Sequence, residues 1–162
     1  MLAESRHHWL YGLDDGSFFT MAAKNELTVA GNFENLARIG EFVEQAATQA
    51  GLDDRGVYAI QMAVDEACTN IIEHAYGGEG KGQIRLTCAA KKDGLHIVIY
   101  DQGIPFDPTQ VPELNTQAPL EERPLGGMGL FFIRNLVDRA EFKFGTPQGN
   151  QLILFKRREP GE

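Results

Sequence analysis

The sequence predicts an α+β fold, a two-layer α/β sandwich with helices on one face of a mixed or antiparallel sheet. Three observations lead there. Segments with strand and helix periodicity follow in the order strand, helix, helix, strand, strand, long loop, helix, strand, strand. The helical segments carry apolar stripes at three- and four-residue steps. The strands do not alternate with the helices, which sets aside a doubly wound parallel sheet.

Glu26–Ala30 alternates as a short strand. Asn32 is placed as the N-cap of a helix running to Ala50, with Leu36, Ile39, Val43 and Ala46 on one face and Gly51 ending it. Asp53 or Asp54 caps a longer helix reaching Tyr76, striped by Val57, Ile60, Val64, Ala67 and Ile71 and broken by Gly77-Gly78. Strands Gln83–Ala90 and Leu95–Tyr100 flank Asp93-Gly94, a strong hairpin signal. Gln102–Leu125 is polar and rich in proline, a loop long enough to be a lid or binding loop. Gly129–Arg139 reads as a third helix, with Leu130, Ile133, Leu136 and Val137 inward. Strands Glu141–Gly145 and Gln151–Lys156 close the chain around a turn over Pro147-Gln148-Gly149-Asn150.

The length of 162 residues fits one domain, placed at residues 25–158. Residues 1–24 are turn-rich and read as a loose N-terminal extension without fixed structure. His7 and His8 lie there without further ligands nearby, as in an exposed tail. The composition is 43% hydrophobic and 23% charged, enough to bury a core and too apolar for a disordered chain. The net charge of −8, with no Lys/Arg-rich window, argues against direct binding to nucleic acid. No apolar run is long enough for a membrane span, and no signal peptide opens the chain. Cys68 and Cys88 lie within apolar patterns and read as reduced, buried thiols. The expected location is cytoplasmic.

Three clusters carry candidate chemistry. Glu66 and Asn70 share one face of the second helix, beside its buried stripe. A carboxylate and an amide so placed suit a hydrated Mg²⁺ with phosphates, or an ordinary helix surface. Asp101 ends the strand whose Leu95, Ile97 and Ile99 point inward, so parity aims its carboxylate between sheet and helices. The exocyclic amine of adenine would satisfy it, and Gly103 would let backbone approach a flat ring; an Asp-Gly turn is the plainer alternative. Gly126-Gly127-Met128-Gly129-Leu130 opens the third helix, where free backbone N–H groups could face an anion or the glycines could form a hinge. Arg123, just upstream, reads equally as a phosphate contact or a solvated lid charge.

The order and spacing of these clusters resemble the GHKL ATPase superfamily (Bergerat fold) of gyrase-type ATPases and histidine kinases. The resemblance spans residues 26–157, with Glu66 and Asn70 matching the N box, Asp101 and Gly103 the first glycine box, and Gly126–Gly129 the second. Within it the chain is most similar to the anti-sigma-factor serine/threonine kinases. The runs Asp65-Glu66-Ala67-Cys68-Thr69-Asn70, Glu73-His74-Ala75-Tyr76, Asp101–Pro108 and Leu120-Glu121-Glu122-Arg123 carry that similarity. No dimerisation helix pair with a phosphoacceptor His precedes residue 26, unlike a histidine kinase.

The resemblance implies an ATP/ADP site with Mg²⁺. Glu66 would be the general base toward a partner's Ser or Thr hydroxyl, and Asn70 the Mg²⁺ ligand. Asp101 would bind adenine N6, with Gly103 beneath the ring. The backbone of Gly126, Gly127, Met128, Gly129 and Leu130 would hold phosphates, with Thr69 and His74 as secondary contacts. The implied substrate is a small anti-sigma-factor antagonist, the implied binding partner a sigma factor, and the implied assembly a homodimer through the sheet and first helix. The rival readings are a nucleotide-switched binding module without transfer, and an ATPase that passes phosphate to water. The sequence departs from the superfamily at Gly149-Asn150, where many members carry Gly-Thr and support adenine through the hydroxyl.

Overall fold

The structure, a computed structural model, describes residues 25–105, 117 and 128–161. The expected N-terminal extension, most of the expected lid with Arg123, and Gly126 and Gly127 of the glycine cluster lie outside the described residues.

The chain runs β1 (Asn25–Ala30), a 3-10 turn (Phe33–Asn35), α1 (Leu36–Gln49), α2 (Asp54–Asn70), a π-helical turn (Ile71–Ala75), β2 (Gln83–Lys91), β3 (Gly94–Asp101), α3 (Met128–Leu136), β4 (Arg139–Thr146) and β5 (Gly149–Arg157). The strands form one sheet in the order β1-β2-β3-β5-β4, antiparallel throughout. Its register aligns Leu27, Leu86, Ile99, Leu152 and Phe142 in one row across all five strands, on the face toward the helices. Period-2 alternation puts Ile84, Leu86, Cys88, Leu95, Ile97 and Leu154 on that face too, and all are buried. Ile39 and Val43 of α1, Ile60 and Val64 of α2 and Ile133 of α3 close on them to make the core. Both cysteines are free and buried. Burial pushes the Cys88 thiol up to about 12 and the Cys68 thiol further still. No helix among the described residues is long and apolar enough to cross a membrane.

Four expectations need correction. Asn32 does not cap a helix with its side chain; it precedes the 3-10 turn, and the free N–H of Phe33 donates instead to the Glu79 carboxylate (2.8 Å). The second helix is not uniform to Tyr76. After Asn70 it widens into the π turn, where the Tyr76 N–H bonds back to the Ile71 carbonyl (2.9 Å). The third helix stops at Leu136 rather than Arg139, because β5 captures the chain just beyond it. The Asp138 N–H donates to the Phe155 carbonyl (2.9 Å), and the Asp138 carboxylate accepts from the Arg157 N–H (2.7 Å). Finally, Gly149 and Asn150 belong to β5, not to the turn. The tighter turn is held by Thr146, whose hydroxyl bonds the Gly149 carbonyl (2.6 Å).

Candidate active site

The start of α2 sets the register of the site. The Asp53 carboxylate accepts from the Gly56 N–H (2.7 Å), satisfying one of the orphan donors of the first turn. From that cap, 3.6-residue periodicity sends Ile60, Val64 and Ala67 into the core and places Glu66 and Asn70 at its edge, both half-buried.

The beginning of α3 lies directly on this pair. A Cβ on Gly129 would stand 2.4 Å from Glu66 Oε1 and 2.9 Å from Asn70 Nδ2, so a larger residue there would have to push both side-chain ends aside. Glu66 therefore sits where the N-terminal N–H groups of α3 begin. Partial burial raises its pKa above the ordinary carboxylate value, and Asp65 and then Glu73 add to the shift. The group keeps more basicity than a surface glutamate.

The second half of the site is built at the end of β3. Asp101 is 8% exposed and faces the helices, as strand parity requires. Its Oδ1 accepts from the Gly103 N–H (2.8 Å), a local Asx turn, and from Asn150 Nδ2 (2.9 Å). Asn150 is the direct cross-strand partner of Asp101 in the β3–β5 register. Its Nδ2 also donates to the Gly103 carbonyl (2.9 Å). The turn is pressed onto the end of the helix: a Cβ on Gly103 would lie 2.5 Å from the Ala75 carbonyl oxygen, and the Ile104 N–H donates to that oxygen (2.9 Å). Tyr76 fastens the far side, its hydroxyl donating to the Gln83 carbonyl and accepting from the Gln102 N–H (2.9 Å).

Between these halves opens a cavity of about 140 Å³, roughly ten times what one buried water needs. Asn70, His74, Asp101 and Asn150 give it polar corners, and Ile71, Leu130, Ile133 and Leu152 apolar walls. An apolar slot with a few converging polar groups suits a flat heterocycle. Of the expected site residues, Asn70, His74, Asp101 and Leu130 line the cavity, Gly103 forms the turn at its rim, and Glu66 and Gly129 meet beside it. His74 is exposed and lies 3.8 Å from Glu73. Thr69 is half-buried on the last turn of α2, outside the cavity's lining. Met128 contributes the first residue of α3.

The residues present fit a magnesium nucleotide. Among the described residues no cluster of three His, Cys, Asp or Glu side chains could hold a metal alone. Mg²⁺ needs no such cage when phosphates and waters supply most of its ligands, and Asn70, which lines the cavity, carries an amide oxygen of the kind Mg²⁺ accepts. The roles of two contributors are not read from the sequence. Asn150 stands out only as a departure at the Gly-Thr position and within a turn, although the parity of Leu152 and Leu154 extended back by one step aims it inward. Tyr76 stands only within a matching run, because its bonds go to backbone atoms distant along the chain.

Residues 29–156 match the family model for the histidine kinase-like ATPase domain. A serine-protein kinase RsbW from Halalkalibacterium halodurans is 34% identical over 122 residues, covering 73% of this chain and 74% of that protein. A serine-protein kinase RsbW from Bacillus cereus strain AH187 is 31% identical over 143 residues, covering 86% of this chain and 89% of the relative. Among solved structures, the RsbU and RsbW domains of a Mycobacterium tuberculosis protein superpose with a TM-score of 0.60 at 19% identity. That match covers 86% of this chain but only 34% of the longer one, and it bears on the fold alone. The chain belongs to the histidine kinase-like ATPase family and, within it, to the RsbW-type anti-sigma-factor serine kinases.

Proposed function

We propose that this chain transfers the γ-phosphoryl group of ATP to a Ser or Thr hydroxyl of a small anti-sigma-factor antagonist, and that it also binds and inhibits a sigma factor in the cytoplasm. The observation that carries the proposal is Glu66. It is a half-buried carboxylate of raised pKa, one helical turn from Asn70 and against the first turn of α3. A protein that only bound nucleotide would have no use for a base at that point.

The roles follow from position. The cavity takes the adenine, with Asp101 accepting from its exocyclic amine and Gly103 at the rim. The α3 terminus, with Leu130 at the cavity wall and the glycines from Gly126 to Gly129, holds the phosphates through backbone N–H groups and the positive end of the helix. Asn70 ligates Mg²⁺, which when bound neutralises phosphate charge. Glu66 removes the proton of the incoming hydroxyl as the oxygen attacks phosphorus, and ADP leaves with the electrons of the broken bond. His74 and Thr69 stand behind as secondary contacts. Dimerisation uses the sheet and α1.

The test is transfer from γ-labelled ATP with Mg²⁺ in a lysate of the source organism. The expected result is a small protein labelled on Ser or Thr. Phosphate release without any partner would instead indicate transfer to water, and nucleotide binding without labelling would indicate a switched binding module.

A further inference from the structure

The Asp101–Asn150 corner has more chemistry than a single carboxylate provides. Both protein contacts of Asp101 converge on one oxygen, Oδ1, which accepts from the Gly103 N–H and from Asn150 Nδ2. Oδ2 is the oxygen left for a ligand. Both acceptors that Asn150 Nδ2 meets, Asp101 Oδ1 and the Gly103 carbonyl, lack a proton to give. The amide is therefore fixed in one orientation, with its nitrogen spent and only its carbonyl oxygen left to offer. The neighbouring Gln102 amide is also engaged, its Nε2 donating to the Gln148 carbonyl (2.9 Å). Asp101 and Asn150 are both more than nine-tenths buried, and both line the cavity.

We infer that Asn150 determines base selectivity: it locks Asp101 into a corner that presents acceptors only, and so selects a 6-amino purine over a 6-oxo purine. The inference rests on the reading of the cavity as a nucleotide-base site and adds a residue and a selection rule to it. A 6-amino group brings donors to the free carboxylate oxygen. A 6-oxo group brings an acceptor against acceptors, with no donor at the corner to meet it, a costly buried mismatch that the N1–H of a 6-oxo purine, one atom away, only partly offsets. A hydroxyl at position 150 would behave differently, because it can rotate and either accept or donate.

The experiment measures the affinity of the intact chain for Mg·ATP and Mg·ITP, which differ in the group at position 6 and in the proton on N1. Wild type should bind ATP more tightly. Asn150→Ala leaves Asp101 held by the Gly103 N–H alone and cuts its tie to β5. It should weaken ATP about tenfold or more and ITP by a smaller factor, narrowing the ATP-to-ITP ratio. Asn150→Thr keeps one donor toward Asp101 and supplies a rotatable hydroxyl. It should bind ATP with intermediate affinity and narrow the ATP-to-ITP ratio, and it provides the same readout should the alanine variant not fold. Equal weakening of both nucleotides, or no change in the ratio in either variant, would overturn the inference and leave Asn150 a structural residue. Wild type binding neither nucleotide would overturn the base-site reading itself, and this inference with it.

Discussion

Gly129 stands against Glu66: a Cβ there would lie 2.4 Å from Glu66 Oε1, so any side chain at 129 must displace that carboxylate. This contact joins α2, at Glu66 and Asn70, to the first turn of α3. The glycine thus serves a close approach between elements and not only flexibility in a hinge.

Gly129→Ala is therefore expected to push the ends of the Glu66 and Asn70 side chains aside while α3 stays on α2. Because flexible side-chain ends give way, the stability cost should lie at the low end of the about 1–3 kcal/mol of overpacking, read as the midpoint in urea unfolding. ATP affinity should fall with it, because Asn70 lines the cavity. Unchanged stability and unchanged affinity would show that the helices do not meet as described.

Glu66 bears on stability as well as chemistry. Its pKa is raised in the folded protein, so folding disfavours its charged form. The stability it permits is fully present below the unfolded pKa, and is lost as pH rises through the folded value. Glu66→Gln should accordingly melt slightly higher than wild type at pH 7, with the difference vanishing as pH falls below the ordinary carboxylate range. In transfer assays the acid limb of the wild-type rate should lie above that range, since the base must be deprotonated. A Gln variant less stable than wild type at pH 7 would contradict the burial argument.

Asp53 acts at a distance. Removing the cap in Asp53→Ala should cost about 0.5–2 kcal/mol in chemical denaturation. Asp53 lies at the far end of α2 from Asn70, so nucleotide affinity of the folded variant should be preserved. A loss of affinity without a loss of stability would mean that Asp53 has a role other than capping.

Tyr76 should prove a support of the base corner. Tyr76→Phe removes a hydroxyl that bridges the Gln83 carbonyl and the Gln102 N–H. The expected cost is about 1–2 kcal/mol, with weaker ATP binding because Gln102 adjoins Asp101. Wild-type affinity at reduced stability would confine Tyr76 to the fold.

What was legible in the sequence was local. Strand parity aimed Asp101 inward from Leu95, Ile97 and Ile99, and the cap at Asp53 set the face of Glu66 and Asn70. What was not legible depended on partners far along the chain. Gln148-Gly149 has turn chemistry, so β5 was placed two residues late, and Asn150 was separated from Asp101, its partner 49 residues away. The end of α3 was misplaced for the same reason, since helical periodicity continued through Val137 while β5 already held Asp138. The π turn after Asn70 has no periodic signature in five residues.

Glu66, in the proposed role of base, is expected to act on the transferred group and not on nucleotide binding. The most direct measurement compares wild type and Glu66→Ala for ATP affinity and for phosphoryl transfer to a Ser- or Thr-bearing protein partner, in the same preparation. ATP affinity should be retained while transfer falls about 10²–10⁴-fold, the usual contribution of a positioned base. Transfer at the wild-type rate, or loss of ATP binding along with transfer, would contradict the account.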